Sequence, residues 1–437
     1  MVVSNLDNSV PKYKNIWNNI CVLTKNVTIE PVILLFTIPH SLVGIPLSNL
    51  FLEKACRTVL MLNETLCDSI VTGEPLLSDH EEVKLQKQVT TMIAWTSMIK
   101  GAVPGFLLLF LGAWSDRGKT LKPFIILPFV GELFRLSNCL ISTYFFDKIS
   151  LNLTGLVNSI FYSLSGGSYV FSWGIFHYIS VISTNESRTV RFGVINFFSQ
   201  LSATIGVAFG GRAYRQLGLK GTFWMCMSIY IIGILYVLLF LKETIIKTEK
   251  PHMEESKEGL LSKFILILND IKNTVMIIFR KRQNDLRLKI CLNVLIIILM
   301  NGVTQANILL YFLARKRYGW NEIGYSDFSA ISSATHSLGM LFGIFYGISS
   351  VSTRSIITKL VSPDELGTVN GLIESFQAFL PLFFAPFFSM IYRYTVNIHD
   401  GIFLFVTSGI LVPVVAIYSY QYISNRYERL NDNDIQN

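Results

Sequence analysis

The sequence predicts an all-α protein that crosses a membrane about ten times. The first observation is composition: of the 437 residues, 51% are hydrophobic and 15% are charged, whereas soluble globular chains carry about 25% charged residues. The second is that the apolar residues fall in runs long enough to cross about 30 Å of hydrocarbon. The third is that the chain contains only 29 glycines, 13 prolines and 6 cysteines, which excludes collagen-like, disordered and disulfide-scaffold proteins. Each span must be helical, because lipid offers backbone groups no hydrogen-bond partner.

The apolar runs form ten segments, six before a polar central loop and four after it. They cover residues 31–52, 91–114, 124–146, 156–181, 192–211, 223–241, 290–313, 328–350, 369–391 and 402–422. Residues 260–279 are also apolar, but Lys263, Asp270 and Lys272 interrupt them, so we expect an amphipathic helix at the membrane surface. The predicted units are an N-terminal segment 1–30, a six-helix bundle 31–241, a central loop 242–289, a second bundle 290–424 and a tail 425–437.

The distribution of Lys and Arg predicts the orientation of the chain in the lipid bilayer. With the N-terminus inside, the cytoplasmic segments hold more Lys and Arg than the outer ones, above all the central loop. We therefore expect both termini in the cytoplasm, in a multi-pass protein of the plasma membrane or an endolysosomal membrane. The net charge of +8 follows from this topology and does not indicate nucleic-acid binding. The residues before Pro31 are polar, so no cleavable signal peptide is visible.

The loop 53–90 then lies outside, in an oxidising compartment. It carries Cys56 and Cys67 and the sequon Asn63-Glu64-Thr65. We expect a disulfide between the two cysteines and a glycan on Asn63. The alternative for the cysteines is a pair of free thiols.

The loop between the second and third spans carries a recognisable motif. It reads Gly112-Ala-Trp-Ser-Asp116-Arg117-Gly118-Lys119 and resembles the cytoplasmic signature loop of the major facilitator superfamily. The acid can cap a helix or pair with a base, which would lock an inner gate; an ordinary positive loop with a turn at Gly118 is the alternative. Further stretches, at residues 27–31, 52–57, 188–191, 318–333 and 354–367, resemble the proton-coupled folate transporter family of solute carriers, particularly its insect-type members.

This resemblance implies twelve spans, arranged as two six-helix halves related by pseudo-symmetry. The first half of this sequence is complete, whereas the second half has four predicted spans. Residues 328–341 resemble the start of the family's eighth helix and residues 343–359 resemble the end of its tenth. We therefore expect an incomplete C-terminal half, shortened near 341–343 by roughly 60 to 70 residues, on the order of two spans with their loops. The eighth and tenth helices run in the same direction, so the later spans keep their orientation.

Polar residues within the spans are the candidates for a substrate or proton pathway, because polar groups are costly in lipid. In the superfamily the first, fourth, seventh and tenth helices line the cavity, which directs attention to His40, to Tyr169, Trp173 and His177, and to Gln305. The residues at 169, 173 and 177 share a helix face that could stack an aromatic solute. Interhelical packing is the alternative for each of these residues.

Several charged residues in the second and third spans and in the C-terminal half have open roles. Glu374 is a buried carboxylate that could carry a proton or make a packing hydrogen bond. Arg354 matches a family arginine that the resemblance implicates in handling anions. Glu132 and Arg135 can neutralise each other along one helix, and Lys100 either extends outward or attracts an anion.

The resemblance implies a secondary transporter that moves a small, folate-like organic anion by alternating access, with a proton as coupling ion. Val181 and Asn196 depart from it, since we expect acids at these positions in the relatives and neither residue can carry a proton. No motif predicts an enzyme, a metal site or a cofactor. The alternative function is a non-transporting or unstable membrane isoform that sequesters a full-length transporter. The sequence makes no prediction of the oligomeric state.

Overall fold

The computed structural model describes residues 29–72, 79–115, 120–184, 187–243, 286–341, 366–399 and 401–436. These residues form helices joined by short turns, and no strand occurs among them. The helices, numbered in chain order, are α1 (Glu30–Leu42), α2 (Gly44–Lys54), α3 (Glu64–Thr72), α4 (Asp79–Ser115), α5 (Lys122–Tyr144), α6 (Leu151–Leu164), α7 (Gly167–Ile182), α8 (Arg188–Phe240), α9 (Leu286–Val303), α10 (Asn307–Tyr318), α11 (Glu322–Leu341), α12 (Leu366–Thr395) and α13 (Ile402–Gln436).

The ten predicted spans all coincide with helix in the described part of the chain. Seven helical segments there are long and apolar enough to cross a membrane. One of them, α8, has 53 residues and contains two predicted spans, because Gly218 breaks the helix with φ 64° and ψ −175°. Two further predicted spans complete the set of ten. One consists of α6 and α7, which are joined at Gly166 with φ 73°, and the other is α11. The predicted central-loop helix at 260–279 lies outside the described residues.

The first six predicted spans pack around an aromatic core. Phe36 of α1 stacks on Phe171 of α7 with ring centroids 3.9 Å apart, and it contacts Phe129 of α5 and Tyr230 of α8. Trp173 of α7 is fully buried beside them. Large apolar side chains on the outside of the bundle are exposed, Phe405 of α13 among them, as expected for a surface solvated by lipid.

The two halves meet along two pairs of helices, α4 with α12 and α8 with α11. Glycine allows the close approach of α4 and α12. A Cβ added to Gly371 would lie 2.9 Å from Cα of Gly112 and 3.0 Å from the carbonyl oxygen of Leu108. We call the end of the bundle that holds the 112–371 contact the inner end, and the end that holds Cys56 and Cys67 the outer end, after the predicted orientation.

Candidate substrate site

The first helix of each half is interrupted near its middle, and the candidate site lies against both interruptions. In the first half, α1 ends at Leu42 and α2 begins at Gly44. In the second half, a 3₁₀ turn over Thr304–Ala306 separates α9 from α10. Broken helices at equivalent places in two repeats are typical of transporter binding sites, because the interruption leaves backbone groups free to meet a solute.

A cavity of about 280 Å³, the central pocket, lies between the two halves. Most of its lining comes from the first half, with Gln305 and Pro381 contributed by the second. The described residues around it are His40, Val43, Gly44, Leu47, Ser97, Lys100, Arg135, Tyr162, Tyr169, Gln305 and Pro381. A solute bound there would touch both halves at once.

The central pocket carries an excess of positive charge. Glu132 is 1% exposed, and its Oε2 accepts hydrogen bonds from Nε of Arg135 at 2.7 Å and Nη2 at 2.6 Å. Its Oε1 lies 3.3 Å from Nδ1 of His40. Lys100 lies on the neighbouring helix α4, so two basic side chains face one carboxylate. Of the two roles predicted for Lys100, this placement favours attraction of an anion.

Aromatic rings form two sides of this charged cluster. The ring of His40 stacks between Phe36, at 5.8 Å and 12°, and Tyr162, at 6.4 Å and 28°. The hydroxyl of Tyr162 is held 2.7 Å from that of Ser168. Tyr169 adds a second phenol to the wall. The pocket therefore combines cations with flat faces, which suits a conjugated or ring-bearing anion.

A larger cavity of about 640 Å³, the neutral pocket, lies on the other side of the helix interruptions. None of the described residues that line it is charged, and its polar side chains are hydroxyls and amides such as Ser48, Gln200, Asn307 and Ser329. Gly44 lines both pockets, and a Cβ added there would meet nothing within 4 Å. The two pockets therefore adjoin at Gly44, one charged and one neutral.

A polar network closes the outer end above these pockets. Arg315 of α10 donates to Glu82 of α4 at 3.0 Å. Gln86, one turn further along α4, donates to the same carboxylate oxygen at 2.9 Å and to the carbonyl oxygen of Phe312 at 3.1 Å, and it accepts from Tyr392 of α12 at 2.7 Å. We call these residues the outer closure.

The inner end is closed by close packing and two hydrogen bonds. Nε1 of Trp173 donates to the carbonyl oxygen of Gly367 at 3.4 Å, and the amide of Asn370 donates to Ser180 at 3.2 Å. Together with the contact between Gly112 and Gly371 they form the inner closure. Among the described residues, contacts between the two halves hold both ends together, and we call this arrangement the occluded form.

The structure divides the predicted site residues into four groups. His40, Tyr169 and Gln305 line the central pocket together. Trp173 and His177 belong to the inner closure: their rings stack at 5.7 Å, and neither histidine nitrogen has a hydrogen-bond partner among the described residues. Glu374 of α12 is 2% exposed and lines neither pocket, although it acts electrostatically on Tyr169. Arg354, Asp116, Gly118 and Lys119 lie outside the described residues, whereas Gly112 packs at the inner closure.

Sequence reasoning missed Arg135 and Tyr162 as pocket residues and left Lys100 between two roles. The signal was present, because two cations and a carboxylate within adjacent spans point to a cavity or to a mutual pair. The sequence could not show that the cations converge with His40.

The disulfide predicted for the outer loop of the first half is present, and the glycan stays a prediction. Cys56 and Cys67 form a disulfide, with their Cα atoms 5.8 Å apart. Asn63 lies between them and is exposed, as an acceptor for a glycan would need to be.

Comparisons with known proteins place the chain among transporters. The family profile described as Major Facilitator Superfamily matches residues 83–340. The lysosomal proton-coupled steroid conjugate and bile acid symporter of Gallus gallus is 22% identical over 447 positions, which include 90% of this chain and 93% of the relative. The probable peptidoglycan muropeptide transporter of Drosophila melanogaster is 19% identical, with 86% and 81% covered.

Two further similarities concern half of the chain and the fold. The proton-coupled folate transporter of Rattus norvegicus is 27% identical over 229 positions, with 50% of this chain and 46% of the relative covered. A crystal structure of the human organic anion transporter has the same fold, with a TM-score of 0.58 at 15% identity, over 89% of this chain and 98% of that one.

Proposed function

The chain belongs to the major facilitator superfamily, and we propose that it is a solute transporter whose central pocket binds a small organic anion. The relatives named above are solute transporters of several substrates, so the family gives the class of activity and leaves the solute open. The pocket between the two halves is where such a solute would bind.

The observation that carries the anion is the charge of the central pocket. Lys100 and Arg135 face one carboxylate, Glu132, which is already engaged by Arg135. An uncompensated cation within a membrane span is costly, and an anionic group beside Lys100 would compensate it. A carboxylate, sulfate or phosphate group would each supply the charge and accept hydrogen bonds from the ammonium group.

The neutral pocket supports a second property of the solute, a sizeable uncharged body. The central pocket alone is small for a drug-sized ligand, for which cavities of about 300–1,000 Å³ are usual. Because Gly44 lines both pockets, a solute with its anionic group at Lys100 would place its remaining rings in the neutral pocket. We infer a solute of the folate-like or steroid-conjugate type, in which an anionic group is joined to a larger ring system.

Transport then proceeds by alternating access, in which each closure opens while the other stays shut. The protein is a multi-pass membrane protein. We propose that it lies in an endolysosomal membrane or the plasma membrane with both termini cytoplasmic, and the lysosomal relative supports the first of these membranes.

Equilibrium binding of tritiated oestrone sulfate to the purified full-length chain tests the anion site. We expect Lys100→Met to weaken binding by about 10- to 100-fold, because a hydrogen bond to a charged group contributes about 1.5–3 kcal/mol. Lys84→Met is the matched control, since Lys84 is exposed near the outer end of the same helix and lines neither pocket. Equal affinity of the wild type and Lys100→Met would overturn the proposed site.

A second candidate function is binding without transport, by a chain with a shortened second half. The alignment with the Gallus gallus relative extends over 447 positions yet includes 90% of this 437-residue chain, so part of the relative has no counterpart here. Residues 342 and 343, where the shortening is predicted, lie outside the described residues.

Uptake into proteoliposomes separates the two functions. We compare the chain with a version in which the two predicted missing helices are inserted after Leu341. Uptake by the inserted version alone, with anion binding by both, would support the second function; equal uptake by both would exclude it. Reading the transcript across 341–343 shows whether a longer product exists.

A further inference from the structure

We propose that His40 is the proton-binding residue of the central pocket and that its protonation strengthens the binding of the anion. The inference deepens the proposed function, on which it rests. Its structural basis is the contact between Nδ1 of His40 and Oε1 of Glu132, at 3.3 Å, on the wall of the pocket that also holds Lys100 and Arg135.

The partner of Nδ1 fixes which nitrogen is free to take up a proton. Glu132 is held ionised by the double contact with Arg135, and an ionised carboxylate only accepts hydrogen bonds. Nδ1 of His40 therefore carries the hydrogen in the neutral ring, and Nε2 keeps its lone pair. No hydrogen bond joins Nε2 to another residue in the described part of the chain. The His40 side chain is 35% exposed, against 1% for Glu132, so a proton can reach the imidazole from the pocket.

The charged and titratable groups around His40 determine what protonation does. Three charged residues lie near it: Lys100 on α4, and Glu132 and Arg135 on α5. Two phenols, Tyr162 on α6 and Tyr169 on α7, line the same pocket. Two further titratable residues are more distant: Tyr230 of α8 lies behind Phe36, and Glu374 of α12 lies behind Tyr169. Glu132 stabilises the imidazolium that forms. With that proton the central cluster has three cations and one carboxylate, in place of two cations and one carboxylate.

The additional charge couples the proton to the solute. An anion at Lys100 gains attraction from the imidazolium, and by thermodynamic reciprocity the bound anion makes His40 bind a proton more tightly. The occluded form thus holds the anion and the proton together, as a symporter requires. This coupling needs no acid at Val181 or Asn196.

Two other residues from the sequence analysis are less suited to this role. His177 is 1% exposed and stacks on Trp173 in the inner closure. Glu374 is 2% exposed and lines neither pocket. In the occluded form the solute reaches neither of them, whereas His40 borders the solute directly.

Calorimetric binding of oestrone sulfate to the full-length chain tests the proposal, because the sulfate keeps its charge across the range in which histidine titrates. Titrations in buffers of different ionisation enthalpy count the protons taken up on binding. For the wild type we expect net proton uptake on binding, and an affinity that falls by at least about fivefold between pH 5.5 and pH 7.5. For His40→Asn we expect no proton uptake and a flat pH profile, and His40→Gln serves as the second variant if the first unfolds. His399→Asn is the control, since His399 lies in a turn at the outer end and lines neither pocket, and it should behave as the wild type.

Proton uptake that persists in both His40 variants would overturn the proposal, as would its loss in His177→Asn or Glu374→Gln with His40 intact. If the wild type fails to bind the sulfate at either pH, the anion site itself is wrong and this inference fails with it. A wild type that binds the sulfate with the same affinity at both pH values leaves the anion site standing and refutes the role of His40.

Discussion

Neutralising Glu82 should open the outer end of the bundle. Arg315 and Glu82 are 10% and 11% exposed, and their contact at 3.0 Å joins α10 to α4 across the two halves. Removing one partner of a buried ion pair costs about 3–5 kcal/mol. Both side chains keep some contact with solvent, and Gln86 still bonds position 82. We therefore take the cost of Glu82→Gln to the closed form as about 2 kcal/mol, which shifts the ratio of open to closed forms about 30-fold.

The rate at which a membrane-impermeant maleimide labels a cysteine placed at Gln305 measures this opening. Glu82→Gln should raise the rate, and the exchanged pair Glu82→Arg with Arg315→Glu should restore part of the closure. Glu64→Gln is the matched control, because Glu64 is an exposed acid in the outer loop. The chain without the cysteine at Gln305 gives the background, because Cys291 is partly exposed, whereas Cys139 and Cys226 are buried. A labelling rate for Glu82→Gln equal to that of the parent would refute the role of the ion pair.

Three further predictions concern the closures and the outer loop. Gly371→Ala should lower the thermal unfolding temperature, because its Cβ would lie 2.9 Å from Cα of Gly112 and overpacking costs about 1–3 kcal/mol. The control Gly409→Ala, with open space at its Cβ, should leave that temperature unchanged. Equal unfolding temperatures for the two variants would contradict the close contact. Replacing Cys56 and Cys67 together by Ser should cost about 2–4 kcal/mol of stability, and reductant should lower the unfolding midpoint of the wild type alone; a wild-type midpoint insensitive to reductant would contradict the disulfide. Asn63→Gln should abolish the mobility shift caused by glycosidase and Asn26→Gln should not; a shift that remains in Asn63→Gln would place the glycan elsewhere.

The positions of the spans could be predicted from the sequence because hydrophobicity alone decides which segments enter lipid. Helix interruptions were harder to foresee. The helix that contains the predicted span 192–211 continues beyond the end of that span and breaks at Gly218. No residue before that glycine forces the helix to end. The interruption at Thr304–Ala306 has no proline or glycine within it, so it could not be predicted from local propensity.

The candidate site could be predicted only in part, because the sequence gives the identity of a polar residue and not the direction in which it faces. Tyr169, Trp173 and His177 share a helix face, as predicted, but that face runs from the central pocket down into the inner closure. One helix face thus serves two purposes at different depths. The spacing along the helix could not distinguish them, since depth depends on where α12 crosses α7.

The two closures differ in chemistry, and this difference indicates how a solute controls them. When the outer closure opens, water can hydrate Glu82 and Arg315, which offsets much of the ion pair that is lost. When the inner closure opens, the packing of Gly112 against Gly371 is lost, and lipid or water restores little of it because the fit is one of shape. The central pocket draws its cations from the first half and Gln305 from the second. An anion that contacts both halves therefore pulls them together at the level of the pocket, and this contribution favours the occluded form over either open form.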